Sequence, residues 1–179
     1  MKYVAFLRGI NVGGNNIIKM LALKEAFEKC GFDNVSTYIQ SGNVIFESQE
    51  KSAEKLTTKI EVMLSKTFNY KARAIIRSHK QMKQIVNDVP KEWNTSDKIR
   101  CYLGILSDVM DAKEVAKEVK LREGVDTLKV APGVLYMTSL LSEITKSAFT
   151  KLIGTNVYKE MTIRNYNTIK KLLERMEEK

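Results

Sequence analysis

Imidazole is nearly missing from this chain: His79 is the only histidine in 179 residues. No Ser-His-Asp order can be built, and His79 opens a charged helix start where exposure is expected rather than catalysis. Cysteine is scarce as well. Cys30 and Cys101 are the two present, and neither belongs to a CxxC motif. A disulfide framework and a metal site both lack their ligands, so no metal is expected and both thiols are expected to be reduced. No run approaches about 18 consecutive apolar residues, which excludes a membrane-spanning helix. The apolar run near the N-terminus, Tyr3 to Leu7, is too short for a secretory leader, and no small-residue cleavage site follows it. The expected location is therefore the cytosol. Aromatic residues make up only 8% of the chain, and the RNP1 pattern is missing. Both facts weigh against base stacking on a sheet.

What the chain does have is cationic charge. Thirty Lys and Arg stand against 21 Asp and Glu, giving +9 and a sequence pI of about 9.4. Residues 1–89 carry 14 cations against 8 carboxylates, and residues 90–179 carry 16 against 13, with no basic tail. Such a surface draws nucleotides, phosphates or nucleic acid, although a lysine-rich surface also serves solubility alone. Hydrophobic residues reach 44%, enough to form a core without metals or disulfides.

Periodicity sets the order of elements. Tyr3 to Arg8 predicts a strand, followed by a Gly/Asn-rich loop and a helix from about Met20 with Leu23, Phe27 and Cys30 on one face. Val35 to Gln40 and Val44 to Phe46 predict a hairpin around Ser41-Gly42-Asn43. Glu50 to Phe68 predicts a helix, and Ala72 to Arg77 a strand. Ser78 and Gln81 have capping-box spacing for a further helix, which Pro90 ends. Lys91 to Lys98, with Trp93, is the expected connector. The second half predicts a strand at Ile99–Leu106, a helix at Asp111–Lys120, strands at Asp126–Val130 and Val134–Met137, and a helix at Ile144–Ile153 ended by Gly154. A last helix runs from about Asn165 to Glu178. The fold class is α+β: two consecutive ferredoxin-like halves of βαββαβ type. The second lacks a clear closing strand, which is either short (near Asn156 to Tyr158) or absent. The domains expected are 1–90 and 99–179, or one integrated domain.

Three polar segments can carry chemistry. The first is Arg8-Gly9-Ile10-Asn11-Val12-Gly13-Gly14, between strand and helix. Glycines there admit positive φ and turn N–H groups toward one point, which suits an anion. The spacing is neither GxGxxG nor a Walker A loop, and Lys19 can add charge. The second is Gln40-Ser41-Gly42-Asn43, ordinary turn chemistry when taken alone. The third is Arg164-Asn165-Tyr166-Asn167-Thr168, where Asn165 suits an N-cap and Arg164 a bidentate fork. Each segment also reads as a purely structural device. In a βαββαβ half, the loop after strand one and the hairpin between strands two and three can lie near opposite ends of the sheet.

Taken together, these runs resemble an uncharacterised bacterial family catalogued as domain of unknown function 1697. The matching stretches are Tyr3 to Gly14, Thr37-Tyr38-Ile39-Gln40-Ser41-Gly42-Asn43-Val44-Ile45-Phe46, and Arg164 to Thr168, with Tyr166 where that family commonly has Trp. Ser147 stands where the family has a serine before Lys-Leu, but Ala148-Phe149 follow it here. The resemblance implies a bacterial cytosolic protein of ferredoxin-like architecture and brings no activity or cofactor with it.

Four functional classes remain. The first is binding of an anionic small ligand, a nucleotide or other phosphate-bearing molecule. It would use Arg8, Gly9, Asn11, Gly13, Gly14, Gln40, Ser41, Gly42, Asn43, Arg164, Asn165, Asn167 and Thr168. The others are nucleic-acid binding through the basic surface, an enzyme that positions a phosphorylated substrate, and a structural or oligomeric interaction protein. No membrane partner is expected.

Overall fold

The computed structural model describes residues 1–108, 110–152, 155–159 and 161–178. The chain divides into two compact units, Met1–Lys83 with Lys171–Lys179, and Gln84–Lys170.

The first unit is built on a four-stranded antiparallel sheet of order β2-β3-β1-β4, from β1 (Lys2–Leu7), β2 (Asp33–Tyr38), β3 (Asn43–Glu47) and β4 (Ala74–Ser78). Tyr3, Ala5 and Leu7 point to one face, as the two-residue period requires. There they join Leu23 and Phe27 of helix α1 (Met20–Lys29) and Leu56, Ile60 and Leu64 of helix α2 (Ala53–Phe68). The last three recur every four residues and are almost fully buried, each contributing about 1.5–3 kcal/mol. Helix α2 starts three residues later than the expected Glu50. The Glu50 carboxylate instead accepts from the Ser52 N–H (2.8 Å), and Ser52 caps the helix by accepting from the Lys55 N–H. After β4 comes helix α3 (His79–Asn87), closed by the full capping box. The Gln81 Oε1 accepts from the Ser78 N–H (2.8 Å), and the Ser78 hydroxyl accepts from the Gln81 N–H (3.3 Å).

The second unit repeats the topology. Its strands β5 (Ile99–Leu106), β6 (Asp126–Ala131), β7 (Val134–Leu140) and β8 (Met161–Asn165) form an antiparallel sheet of order β6-β7-β5-β8. Between β5 and β6 lies helix α4 (Ala112–Lys117), capped by Asp111 and ending three residues before the expected Lys120. Trp93, expected in a plain connector, is buried in a short 3-10 turn (Lys91–Asn94). Its indole N–H donates to the Thr138 hydroxyl, and its ring meets Tyr136 and Tyr166 edge-on.

Two local expectations need correction. The closing strand exists, and it is β8, not the segment near Asn156 to Tyr158. Asn156–Lys159 forms the short helix α5. Met-Thr-Ile-Arg-Asn alternates, with β-branched Thr162 and Ile163, and it completes the open side of β5 from Tyr102↔Asn165 to Leu106↔Met161. Helix α6 (Tyr166–Glu177) therefore starts one residue after the expected Asn165. Second, no continuous helix spans Ile144 to Lys151. Two 3-10 turns, Leu141–Lys146 and Ala148–Lys151, are separated at Ser147, whose backbone is extended (φ −58°, ψ 137°). The break has a cause in side-chain competition. The Ser147 hydroxyl accepts from the Phe149 N–H, and the Asp126 carboxylate accepts from the Ala148 N–H, so tertiary partners take donors that a helix would use. The expected terminators Ile153 and Gly154 lie outside the described residues.

Candidate functional site

The glycine loop and the hairpin turn share one end of the first sheet. Antiparallel pairing sets this directly, because Phe6 near the end of β1 faces Asn43 at the start of β3. The opposite-ends arrangement that the sequence allowed is not the one formed. Asn11 joins the segments: its side-chain N–H2 donates to the Ile18 carbonyl (3.1 Å) and the Gln40 carbonyl (2.9 Å), and its Oδ1 accepts from the Ile18 N–H (2.8 Å). Asn16 donates back to the Gly9 carbonyl (2.7 Å). Leu7 and Arg8 are tied in by their N–H groups, to the Gly42 and Arg73 carbonyls.

Gly42 is required twice over. Its φ is +78°, and a Cβ there would sit 2.7 Å from Ile10 Cδ1 and 2.9 Å from Leu7 Cβ. Asn43 is fully buried, and its side chain donates to the Tyr38 carbonyl and the Ser41 hydroxyl, both at 3.0 Å. Asn11 and Asn43 are thus held by backbone and turn partners. Gly9, Asn11, Gly13, Gly14 and Asn16 all have positive φ, separated by residues of the opposite sign at several points. Gly13 and Gly14 are the central pair of a tight turn that the Asn15 N–H closes on the Val12 carbonyl (3.0 Å), where both positions need positive φ. Gly13 and Gly14 are exposed, and their N–H groups meet no acceptor among the described residues. The loop runs straight into α1, whose N-cap residue Lys19 supplies no side-chain cap and whose first turn contains no carboxylate. Residues 1–24 hold Lys2, Arg8, Lys19 and Lys24 without one Asp or Glu.

Arg164, Asn165, Asn167 and Thr168 belong to the second unit, at the junction of β8 and α6. The Arg164 guanidinium donates to the Thr162 hydroxyl (2.6 Å) and the Ile163 carbonyl (3.0 Å). Asn165 caps α6, its Oδ1 accepting from the Asn167 N–H (2.9 Å). Asn167 is exposed and Thr168 half-buried. Arg77 repeats the device of Arg164 in the first half. It is buried, it donates to the Ile76 carbonyl (2.8 Å), and the cap residue Ser78 follows it. Laying the two halves over one another, Arg77-Ser78 on Arg164-Asn165, would have revealed it.

A second polar cluster, in the second unit, was also missed. The Asp126 carboxylate accepts from the Ser139 hydroxyl (2.9 Å), the Ala148 N–H (2.8 Å) and the Arg122 N–H (3.1 Å), and Ser139 lies 2.9 Å from the Ser147 hydroxyl. Burial pushes the Asp126 carboxyl up. The hydrogen bonds from the Ser147, Ala148, Arg122 and Ser139 donors outweigh that and hold it below the usual carboxylate value.

The fold defines an α+β protein made of two ferredoxin-like halves, with glycine, asparagine and arginine devices at the ends of its sheets. The chain belongs to the family described as "Protein of unknown function (DUF1697)", whose model matches residues 1–136. The solved structure of the conserved bacterial protein SP0830 from Streptococcus pneumoniae is similar to it, at 25% identity and a TM-score of 0.84 over 98% of each chain. No curated protein matches this chain. No helix among the described residues is long and apolar enough to cross a membrane.

Proposed function

We propose that the protein binds a small phosphate-bearing anion at the loop from Gly9 to Lys19. The observation that carries this reading is a pair of open donor sites. The Gly13 and Gly14 N–H groups are exposed, and the start of α1 at Lys19 has no side-chain cap, both in a stretch free of carboxylates. Lys19, exposed at the N-cap of α1, supplies a flexible cation. In this reading Asn11, Gly42 and Asn43 position the loop, and Gln40 and Ser41 form its neighbouring rim. Arg164 and Asn165 set the corresponding junction in the second unit. The free thiols of Cys30 and Cys101 support a reducing, cytosolic setting.

The test is isothermal titration of the full chain with pyrophosphate and with nucleoside phosphates, at about 50 mM and about 500 mM salt. A saturable site that persists at the higher salt and weakens about tenfold or more in Lys19→Gln is the expected result. A bound charge pair of this kind is worth on the order of 1–2 kcal/mol. Heat signals that vanish with salt and ignore Lys19→Gln would reject it.

A further inference from the structure

Three connections meet at one end of the first sheet: the loop from β1 to α1, the turn from β2 to β3, and the segment from α2 to β4. Strand β1 runs antiparallel to both β3 and β4, so its last residues face the first residues of each, Phe6↔Asn43 and Leu7↔Ala74. The Leu7 and Arg8 N–H groups fasten the other two connections to it, at the carbonyls of Gly42 (2.7 Å) and Arg73 (2.9 Å). This end carries the three most exposed large hydrophobic side chains among the described residues: Ile17 (77%), Val12 (64%) and, in the first turn of α1, Leu21 (68%). Ile39, in the turn, adds a fourth. It holds φ +50°, which β-branched side chains avoid, and it is nearly half exposed. Neither burial nor backbone conformation accounts for an isoleucine there. Asn11 binds the Ile18 and Gln40 carbonyls through one nitrogen, so the neighbours Ile17 and Ile39 lie on the same rim.

Charge decides what such a rim can meet. Residues 8–19, 39–42 and 69–73 hold Arg8, Lys19, Lys71 and Arg73 and no Asp or Glu. Lys19 and Lys71 are exposed, and Arg73 pairs with Glu61 (3.0 Å). A second copy of the chain would bring these cations against their own equivalents, which like-charge repulsion opposes in an isologous contact. Side chains this exposed project outward rather than line a groove for a partner's anchor residues. Apolar tips ringed by cations match the boundary of an anionic bilayer: the tips enter the acyl region and the cations sit at the phosphates. The sequence has no run long enough for a membrane-spanning helix, which is why no membrane partner is expected from it; docking on the surface needs no such run.

We infer that this end of the first unit docks on an anionic lipid surface, with Val12, Ile17, Leu21 and Ile39 as its apolar contacts. The headgroup contact rests on the anion-binding reading of the loop, the phosphate then being that of a lipid. The full chain is sedimented with vesicles of phosphatidylcholine alone or with about 30% phosphatidylglycerol, at about 100 mM salt. Binding to the anionic vesicles is expected, at least about tenfold tighter than to the neutral ones. Lys71→Gln should weaken it about fivefold, the worth of one cation near such a surface. Leu21→Ser and Ile39→Asn should each weaken it by a similar factor. Asn accepts positive φ, so Ile39→Asn should keep or raise the thermal midpoint, which separates lost contact from lost fold. None of these three positions lies in the loop from Gly9 to Lys19, so each variant should titrate with pyrophosphate like the parent. Pyrophosphate binding without vesicle binding overturns this inference and leaves the soluble-anion site standing. Equal binding to neutral vesicles overturns it, as do apolar variants that bind like the parent. So does a self-associated mass that Leu21→Ser disperses, which would assign the patch to a second copy.

Discussion

Asp126 ties the second unit together through its charge, because three donors from three parts of the chain converge on it. Replacing it by Asn leaves a carboxamide N–H2 facing donors. Asp126→Asn should therefore lower stability by about 2 kcal/mol at pH 7, read from urea unfolding. Its folded pKa is depressed, so its contribution is fully present above the unfolded carboxyl value near 4. The contribution is lost as pH falls through the lower folded value. Parent and variant midpoints should converge below about pH 4; midpoints that stay parallel down to pH 2.5 would show that the charge is not what stabilises the cluster. Little of this was visible in sequence. Asp126, Ser139 and Ser147 are 8 to 21 positions apart, and only a folded sheet shows that they share a wall. Asn11 and Asn43 drew attention because Asn tolerates positive φ and offers both donor and acceptor. What the sequence could not supply was their partners, the backbone carbonyls of Ile18, Gln40 and Tyr38.

Helix starts are where local chemistry speaks most clearly. Ser78 and Asn165 each end a closing strand and cap the next helix in the same turn of chain. Ser78→Ala and Asn165→Ala should each cost about 1 kcal/mol, a fall of about 2–4 °C in the thermal midpoint for a chain of this size. Glycine at either position should cost only a few tenths of a kcal/mol, so a calorimetric series of Ala and Gly variants separates loss of the cap from loss of packing. The same locality explains which elements could be read. The capping box at Ser78 and Gln81 and the four-residue spacing in α2 are complete within one short window. The segment after β7 misled because Ile144, Phe149 and Leu152 mimic a helical stripe, while the break at Ser147 depends on Asp126, twenty-one residues upstream. Strand β8 was obscured for a related reason: the Arg-Asn motif suggested a helix start, and its pairing partner β5 lies more than fifty residues earlier.

At the scale of the whole molecule, the net charge of +9 acts without any built pocket. Labelled oligonucleotides should bind at low salt, with an affinity that falls linearly on a log–log plot against salt concentration and shows no preference for sequence. Fluorescence anisotropy across a salt series checks this; binding that resists salt would point to specific contacts instead. The division of the chain has a different consequence. The first unit is discontinuous, since residues from Lys171 onward return to it. There Arg175 donates to the Thr37 carbonyl and lies over the Tyr38 ring, Glu177 pairs with Lys83, and the Glu178 carbonyl accepts from Lys2. The second unit is one unbroken stretch. During synthesis on the ribosome, the part made first therefore waits for the part made last, and the later-made unit is the first with all of its own residues in hand.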